Sequence, residues 1–238
     1  TPTGPVFAPL TLPGETVRAE VREGRAEAIE IVHASPDRIA PVSPQYGDCG
    51  GCSLQHWAAG PYLQWKREQV RLALARERIE TEIQATVAVP AGTRRRLALH
   101  ARRGPDGRAT LGFKARRSWR LVEVRECPVA DPRIVRAIPA LAELAEAFLE
   151  HPKSAPTLHV TWTLTGLDVD VTGVERRSGG LSRDAQMKAI AAAGRANLAR
   201  LSLAGETLVM ARQPQVAFGP ATVPLPAGGF LQAVPEAE

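Results

Sequence analysis

The residues best equipped for chemistry are three cysteines. Cys49-Gly50-Gly51-Cys52 is a Cys-x-x-Cys pair, and Cys127 stands directly before Pro128. The two glycines allow a tight turn, so both sulfurs of the pair can point at one centre. A Cys-Pro step is common where an iron–sulfur ligand closes a segment. Three chemistries compete. Zinc needs four nitrogen or sulfur ligands, and His56 is a candidate fourth. A dithiol redox pair wants a strand before it and a helix beginning at the second cysteine. An iron–sulfur cluster needs four thiolates, or three and an unusual fourth ligand. Two loop cysteines beside an unrelated buried one would do none of these, and spacing alone does not choose. Three cysteines suit neither a disulfide framework nor an oxidising compartment, so a reducing, cytoplasmic setting is expected.

The second chemical signal is charge. Between Arg94 and Arg125 lie eleven basic residues against two acids, Asp106 and Glu123, a local balance of +9. The whole 238-residue chain carries only +5, so the basicity is focused and the rest is net acidic. A focused cationic surface collects phosphates and releases counterions, as nucleic-acid binding requires. The residues assigned to RNA are Arg94, Arg95, Arg96, Arg102, Arg103, Lys114, Arg116, Arg117 and Arg120. Consecutive residues on a strand alternate between faces, so about half of the block faces a ligand. Phe113 and Trp119 sit inside it and offer rings for base stacking, although a place in the core suits both better. His100 and His159 fall in expected strands, where a structural role is the simpler one. His56, near the cysteines, is expected to pack rather than ligate.

These groups need elements to position them. Period-two patterning from Leu97 to Ala101, the turn Gly104-Pro105-Asp106-Gly107, and runs at 110–113 and 119–124 predict antiparallel strands. Ile134, Ile138, Leu141, Ala145 and Phe148 recur at helical spacing, which predicts a helix over 132–150. A hairpin follows at 159–164 and 167–171, then a helix over 183–201 capped by Ser182, then short strands near 207–211, 215–218 and 222–224. Another helix opens near Pro61, with Leu63, Val70 and Leu74 on one face. The first 40 residues read as short strands broken by Pro and Gly. Adjacent antiparallel strands with interspersed helices favour α+β. No glycine-rich phosphate loop or dinucleotide fingerprint is visible. No apolar run approaches the ~18 residues of a membrane helix.

The cysteine block Cys49-Gly-Gly-Cys-Ser-Leu-Gln-His56, with Tyr62 and Lys66 beyond it, resembles the class I S-adenosylmethionine-dependent RNA 5-methyluridine methyltransferases, the TRAM-domain rRNA and tRNA uridine-C5 enzymes. Three further segments match in order: Leu12-Pro-Gly-Glu-Thr-Val17, Leu111-Gly-Phe113 with Cys127-Pro128, and Phe230-Leu-Gln232. The resemblance implies an α+β fold: a partial OB-like TRAM β-barrel over 1–40, a central domain with antiparallel sheet and helices over 41–229, and the opening of a methyltransferase domain over 230–238. It implies that the Rossmann-like domain, with its nucleophilic cysteine and glutamate base, lies outside this chain, which is then a fragment with no catalytic residue of its own. Cys49, Cys52 and Cys127 match cluster ligands, and Ser43 stands at the remaining ligand position, so a [4Fe-4S] or incomplete cluster is implied. Gln232 matches a residue beside S-adenosylmethionine. The implied partner is rRNA or tRNA, bound by a monomer with no membrane attachment. A non-catalytic RNA-binding module and a zinc-binding structural domain are the alternatives.

Overall fold

The computed structural model describes residues 4–175 and 181–238. The chain divides into two compact units, Thr1–Asp48 with Cys52–Ala88, and Cys49–Gly51 with Val89–Glu238.

In the smaller unit, β1 (Thr16–Arg22) and β2 (Arg25–His33) pair antiparallel across Glu23-Gly24. Both turn residues are left-handed, with φ of 48° and 73°. Two consecutive positive φ values are what a two-residue hairpin demands, and glycine supplies the second without strain. Glu15 anchors the hairpin to the following segment. Its side chain accepts from the backbone N–H groups of Leu12 and Ser35 and from the Arg38 guanidinium. The Arg38 bonds lower its carboxyl to about 2, against burial, which acts the other way. Helix α1 (Ala59–Arg76) follows. It fully buries none of its residues, and Val70, expected on its inner face, is exposed. The rings of Trp57, Tyr62 and Trp65 group around its first turns, with centroids 5.6–6.3 Å apart.

The larger unit is built on a seven-stranded sheet. Its strands are β3 (Arg96–Arg103), β4 (Ala109–Lys114), β5 (Leu121–Glu123), β6 (Thr157–Thr163), β7 (Gly166–Thr172), β8 (Arg200–Leu203) and β9 (Glu206–Met210), in the spatial order β5-β4-β3-β6-β7-β8-β9. Helix α2 (Pro132–Glu146) and helix α3 (Arg183–Arg195) pack on one face. Asp131 caps α2 by accepting from the Arg133 N–H, and Ser182 caps α3 by accepting from the Ala185 N–H. Ile134, Ile138, Leu141 and Ala145 of α2 are buried as their spacing predicts, and Phe148 just beyond is fully enclosed. They meet Leu97, Leu99, Leu111, Leu158, Val160, Val169 and Leu201 from the strands in one continuous core. A small hairpin of β10 (Gln215–Phe218) and β11 (Ala221–Pro224) completes the unit, with Val216, Leu225 and Leu231 forming a second apolar cluster.

The expected antiparallel sheet is corrected here. α3 does not run to Leu201 but ends at Arg195. Asn197 turns left-handed (φ 51°), and the Leu198 N–H donates back to the Ala193 carbonyl, which closes the helix. Residues 200–203 then become β8, which pairs parallel with β7. A parallel pair needs a crossover, and α3 is that crossover. The sheet is therefore mixed, with a β-α-β unit inside it. β5 also starts two residues later than expected, so Trp119 and Arg120 lie in the β4–β5 turn.

Candidate nucleic-acid interface

β3 carries Leu97, Leu99 and Ala101 inward, toward the helices, and Arg96, Ala98, His100 and Arg102 outward. Register extends this outward row across the sheet. His100 lies opposite Gly112 of β4 and Thr157 of β6, Ala98 opposite His159, and Arg96 opposite Thr161. Thr172, Asp170 and Asp168 of β7 continue it. The face away from the helices is thus a polar, cation-bearing surface, made so by strand alternation alone.

Two clefts open on this face. One, of about 730 Å³, is bounded by His100, Arg102, Lys114, Trp119, His151 and Thr157. His100 Nδ1 lies 2.9 Å from Thr157 Oγ1. Burial, then the charges of Lys114 and His159, lower the His100 imidazole below its ordinary value. The other, of about 320 Å³, is bounded by Arg94, Arg96, His159, Thr161, Phe230 and Gln232. Arg96 ties this second cleft together. It donates to the Leu231 carbonyl at 2.6 Å and lies 5.5 Å from the Phe230 ring centroid. Burial, with Arg95 and Arg94 close by, lowers its guanidinium from the ordinary arginine value. Phe230 and the Gln232 side chain are exposed at the cleft. The Gln232 N–H donates to Glu238 Oε1.

The basic block does not act as one set. Arg94, Arg102, Arg116, Arg117 and Arg120 are exposed, and Lys114 is half-buried. Arg116 and Arg117 occupy the tip of the β4–β5 turn, where Ala115 N–H donates to the Arg120 carbonyl and Arg117 is left-handed (φ 52°). Arg103 is exposed but spends its guanidinium on the carbonyls of Gly107 and Leu149. Arg95 is buried, ion-paired with Glu238. Its inward position follows from strand parity with Leu97.

The cysteines are placed differently. Cys49 and Gly50 join the larger unit, where Gly50 N–H donates to the Lys114 carbonyl at 3.0 Å and Cys49 bridges Ala115. A Cβ at Gly50 would sit 2.6 Å from that carbonyl, so glycine is required there. Cys127 is half-buried against the main core. Cys52 belongs to the smaller unit. The three are not disulfide-bonded. Ser43 Oγ accepts from the Gln45 N–H, and Ser43 N–H donates to Gln55. Among the described residues, no three His, Cys, Asp or Glu side chains are grouped to hold a metal. The described residues thus lend no support to an iron–sulfur cluster. His56 is buried with its Nδ1 on the Tyr46 hydroxyl, a packing role as expected.

Sequence reasoning missed the bidentate pair Arg200–Asp168, with bonds of 2.9 and 2.8 Å, buried in the outward row of β7 and β8. The run 167–171 read only as one strand of a hairpin, and the strand that brings Arg200 beside Asp168 was hidden in an expected helix.

No protein-family profile matches the chain. An RNA methyltransferase of Caulobacter vibrioides is 64% identical over 235 residues, 98% of this chain and 57% of that protein. An RNA methyltransferase of Brucella suis is 39% identical over all of this chain and 56% of that protein. A 23S rRNA (uracil(1939)-C(5))-methyltransferase of Halomonas elongata is 39% identical over 155 residues, 62% of this chain and 32% of its own. The chain thus spans little more than half the length of the first two. Among solved structures, the tRNA (uracil-54, C5)-methyltransferase of Pyrococcus abyssi, in complex with S-adenosyl-L-homocysteine, matches 96% of this chain and 56% of its own with a TM-score of 0.63 at 19% identity. That likeness in fold overturns the expectation of a chain standing apart from the methyltransferase fold. Among the described residues no helix is long and apolar enough to cross a membrane.

Proposed function

Because the chain belongs to the RNA methyltransferase family of these relatives, we propose that it serves the transfer of a methyl group to C5 of a uridine in rRNA or tRNA, in the cytoplasm. The observation that carries this is the outward sheet face. It sets Arg94 and Arg96 at a cleft where Phe230 and Gln232 stand open to solvent, and Arg102 and Lys114 at a second cleft beside the β4–β5 turn, which carries the exposed Arg116, Arg117 and Arg120. Cations grip the phosphates without regard to sequence, and the cleft with its ring and amide reads a base.

S-adenosylmethionine, the methyl donor implied by the family, supplies a sulfonium-bound methyl when bound. Gln232 is assigned to its side of the cleft, since its exposed amide stands beside the open Phe230 ring. Phe230 offers the target base a flat apolar surface. Arg96 fixes Phe230 and Leu231 against β3, so that the base and the amide meet at a constant spacing. His159 and Thr161 floor the cleft with hydrogen-bonding groups. No step is assigned to an iron–sulfur cluster.

The test is a map of 5-methyluridine in rRNA and tRNA from cells with and without the protein that carries this chain. Loss of one such site, restored by the gene, is expected. An unchanged map overturns the proposal.

A further inference from the structure

The cleft of about 730 Å³ is not needed for one target base at Phe230. Trp119 is 86% exposed at its rim. An exposed indole at the mouth of a cleft lined by cations is placed where a base could stack on it. The ring is not loose. Lys114 Nζ stands 3.9 Å from its centroid and covers one side, while the β4–β5 turn is closed by the Ala115–Arg120 backbone bond. Both the ring and the cation line the cleft. Around it stand Arg102 and Lys114, with Arg116 and Arg117 at the turn tip and His100 at the base. The carboxylate in the cleft, Glu150, is occupied by the Ser182 hydroxyl and N–H.

We propose that this cleft is a second nucleotide subsite, in which an unpaired base of the RNA stacks on Trp119 while Lys114 and Arg102 hold its flanking phosphates. The inference rests on the RNA reading above and adds a positioning site at the other end of β3 from Phe230. A flat ring backed by a cation suits any base, because every base has a π face. His100 contributes a ring nitrogen to the base edge, its Nδ1 being engaged by Thr157. Holding one unpaired nucleotide here and another at Phe230 sets the strand across the outward face.

The probe is a short single-stranded oligouridylate, titrated against the full protein while tryptophan emission and affinity are read. Wild-type protein is expected to bind with quenching. W119A is expected to weaken affinity about tenfold or more and to remove most of the quench, and W119F to recover the affinity. Circular dichroism of W119A is expected to match wild type, because the side chain is exposed. The weakening should be the same at every salt concentration, since stacking releases no counterions, whereas charge reversal at Arg116 and Arg117 should change the salt slope. If W119A binds as wild type does, the subsite is overturned and the RNA reading stands. If an abasic ribose-phosphate strand binds as tightly as oligouridylate, or an acidic peptide competes through Trp119, stacking on a base is overturned. If uridine monophosphate alone binds as tightly, the cleft takes a free nucleotide and its place in RNA binding is overturned. If wild-type protein binds no oligonucleotide, the RNA reading falls first.

Discussion

Two arginines two residues apart, Arg96 and Arg94, face the same side and do different work. Arg96 is committed to the Leu231 carbonyl and the Phe230 ring, while Arg94 is exposed. The same distinction governs the buried pair Arg200–Asp168. Burial raises the Asp168 carboxyl from its ordinary value and the Arg200 bonds act against that rise. Arg200→Met should therefore destabilise the protein by about 3–5 kcal/mol, because it leaves a buried carboxylate without its partner. Replacing both residues by apolar ones should recover much of this, and urea denaturation of the three variants measures it. Glu15 gives a pH dependence of known sign. Its folded value, about 2, lies below the ordinary 4.5, so its contribution is complete above about 4.5 and is lost as pH falls through 2. The stability difference between wild type and Glu15→Gln should shrink over that window, read from emission of Trp57 and Trp65.

At the scale of elements, α2 and the β3–β4 hairpin were legible because burial obeys period there, whereas α1 buries no residue of its expected inner face. α2 has its expected inner residues, and β3 alternates as its sequence does. What was hidden was β8. Residues 183–201 satisfy a helical pattern, and nothing local announces that Asn197 will turn left-handed and release Arg200–Leu203 into the sheet. Parallel pairing with β7 is a tertiary outcome, outside the reach of any short window. The cleft was half legible. The basic block marked its strands, but only parity in the folded sheet separates outward Arg102 from inward Arg95. Trp119 and Phe113 looked alike in sequence, yet one is in the turn and exposed while the other packs on the core. Ser182→Ala tests the α3 start. It removes the bond to Ala185 N–H and the bond to Glu150, and should cost about 1 kcal/mol in thermal unfolding.

For the molecule as a whole, the charge is arranged to act in one direction. In the larger unit Arg94 and Arg102 are exposed at the two ends of β3, and Arg116, Arg117 and Arg120 in the β4–β5 turn. Reversing Arg116 and Arg117 together should lower the salt slope of RNA binding by about 0.7 for each phosphate no longer neutralised, measured by anisotropy across a salt series. The sheet order also sets a timetable. β3 and β6 are neighbours, yet His100 and Thr157, which face each other, are 57 residues apart. β3, β4 and β5 precede β6 in the chain, so until β6 has been made one edge of β3 lacks its partner strand. α2 arrives in the interval and covers the apolar side of this half-built sheet. β3 carries Arg96, Arg102 and Arg103, and charged side chains on a temporarily unpaired strand disfavour pairing with a second copy. Charges that mark the outward face of the finished sheet would thus also disfavour self-pairing of the unfinished one.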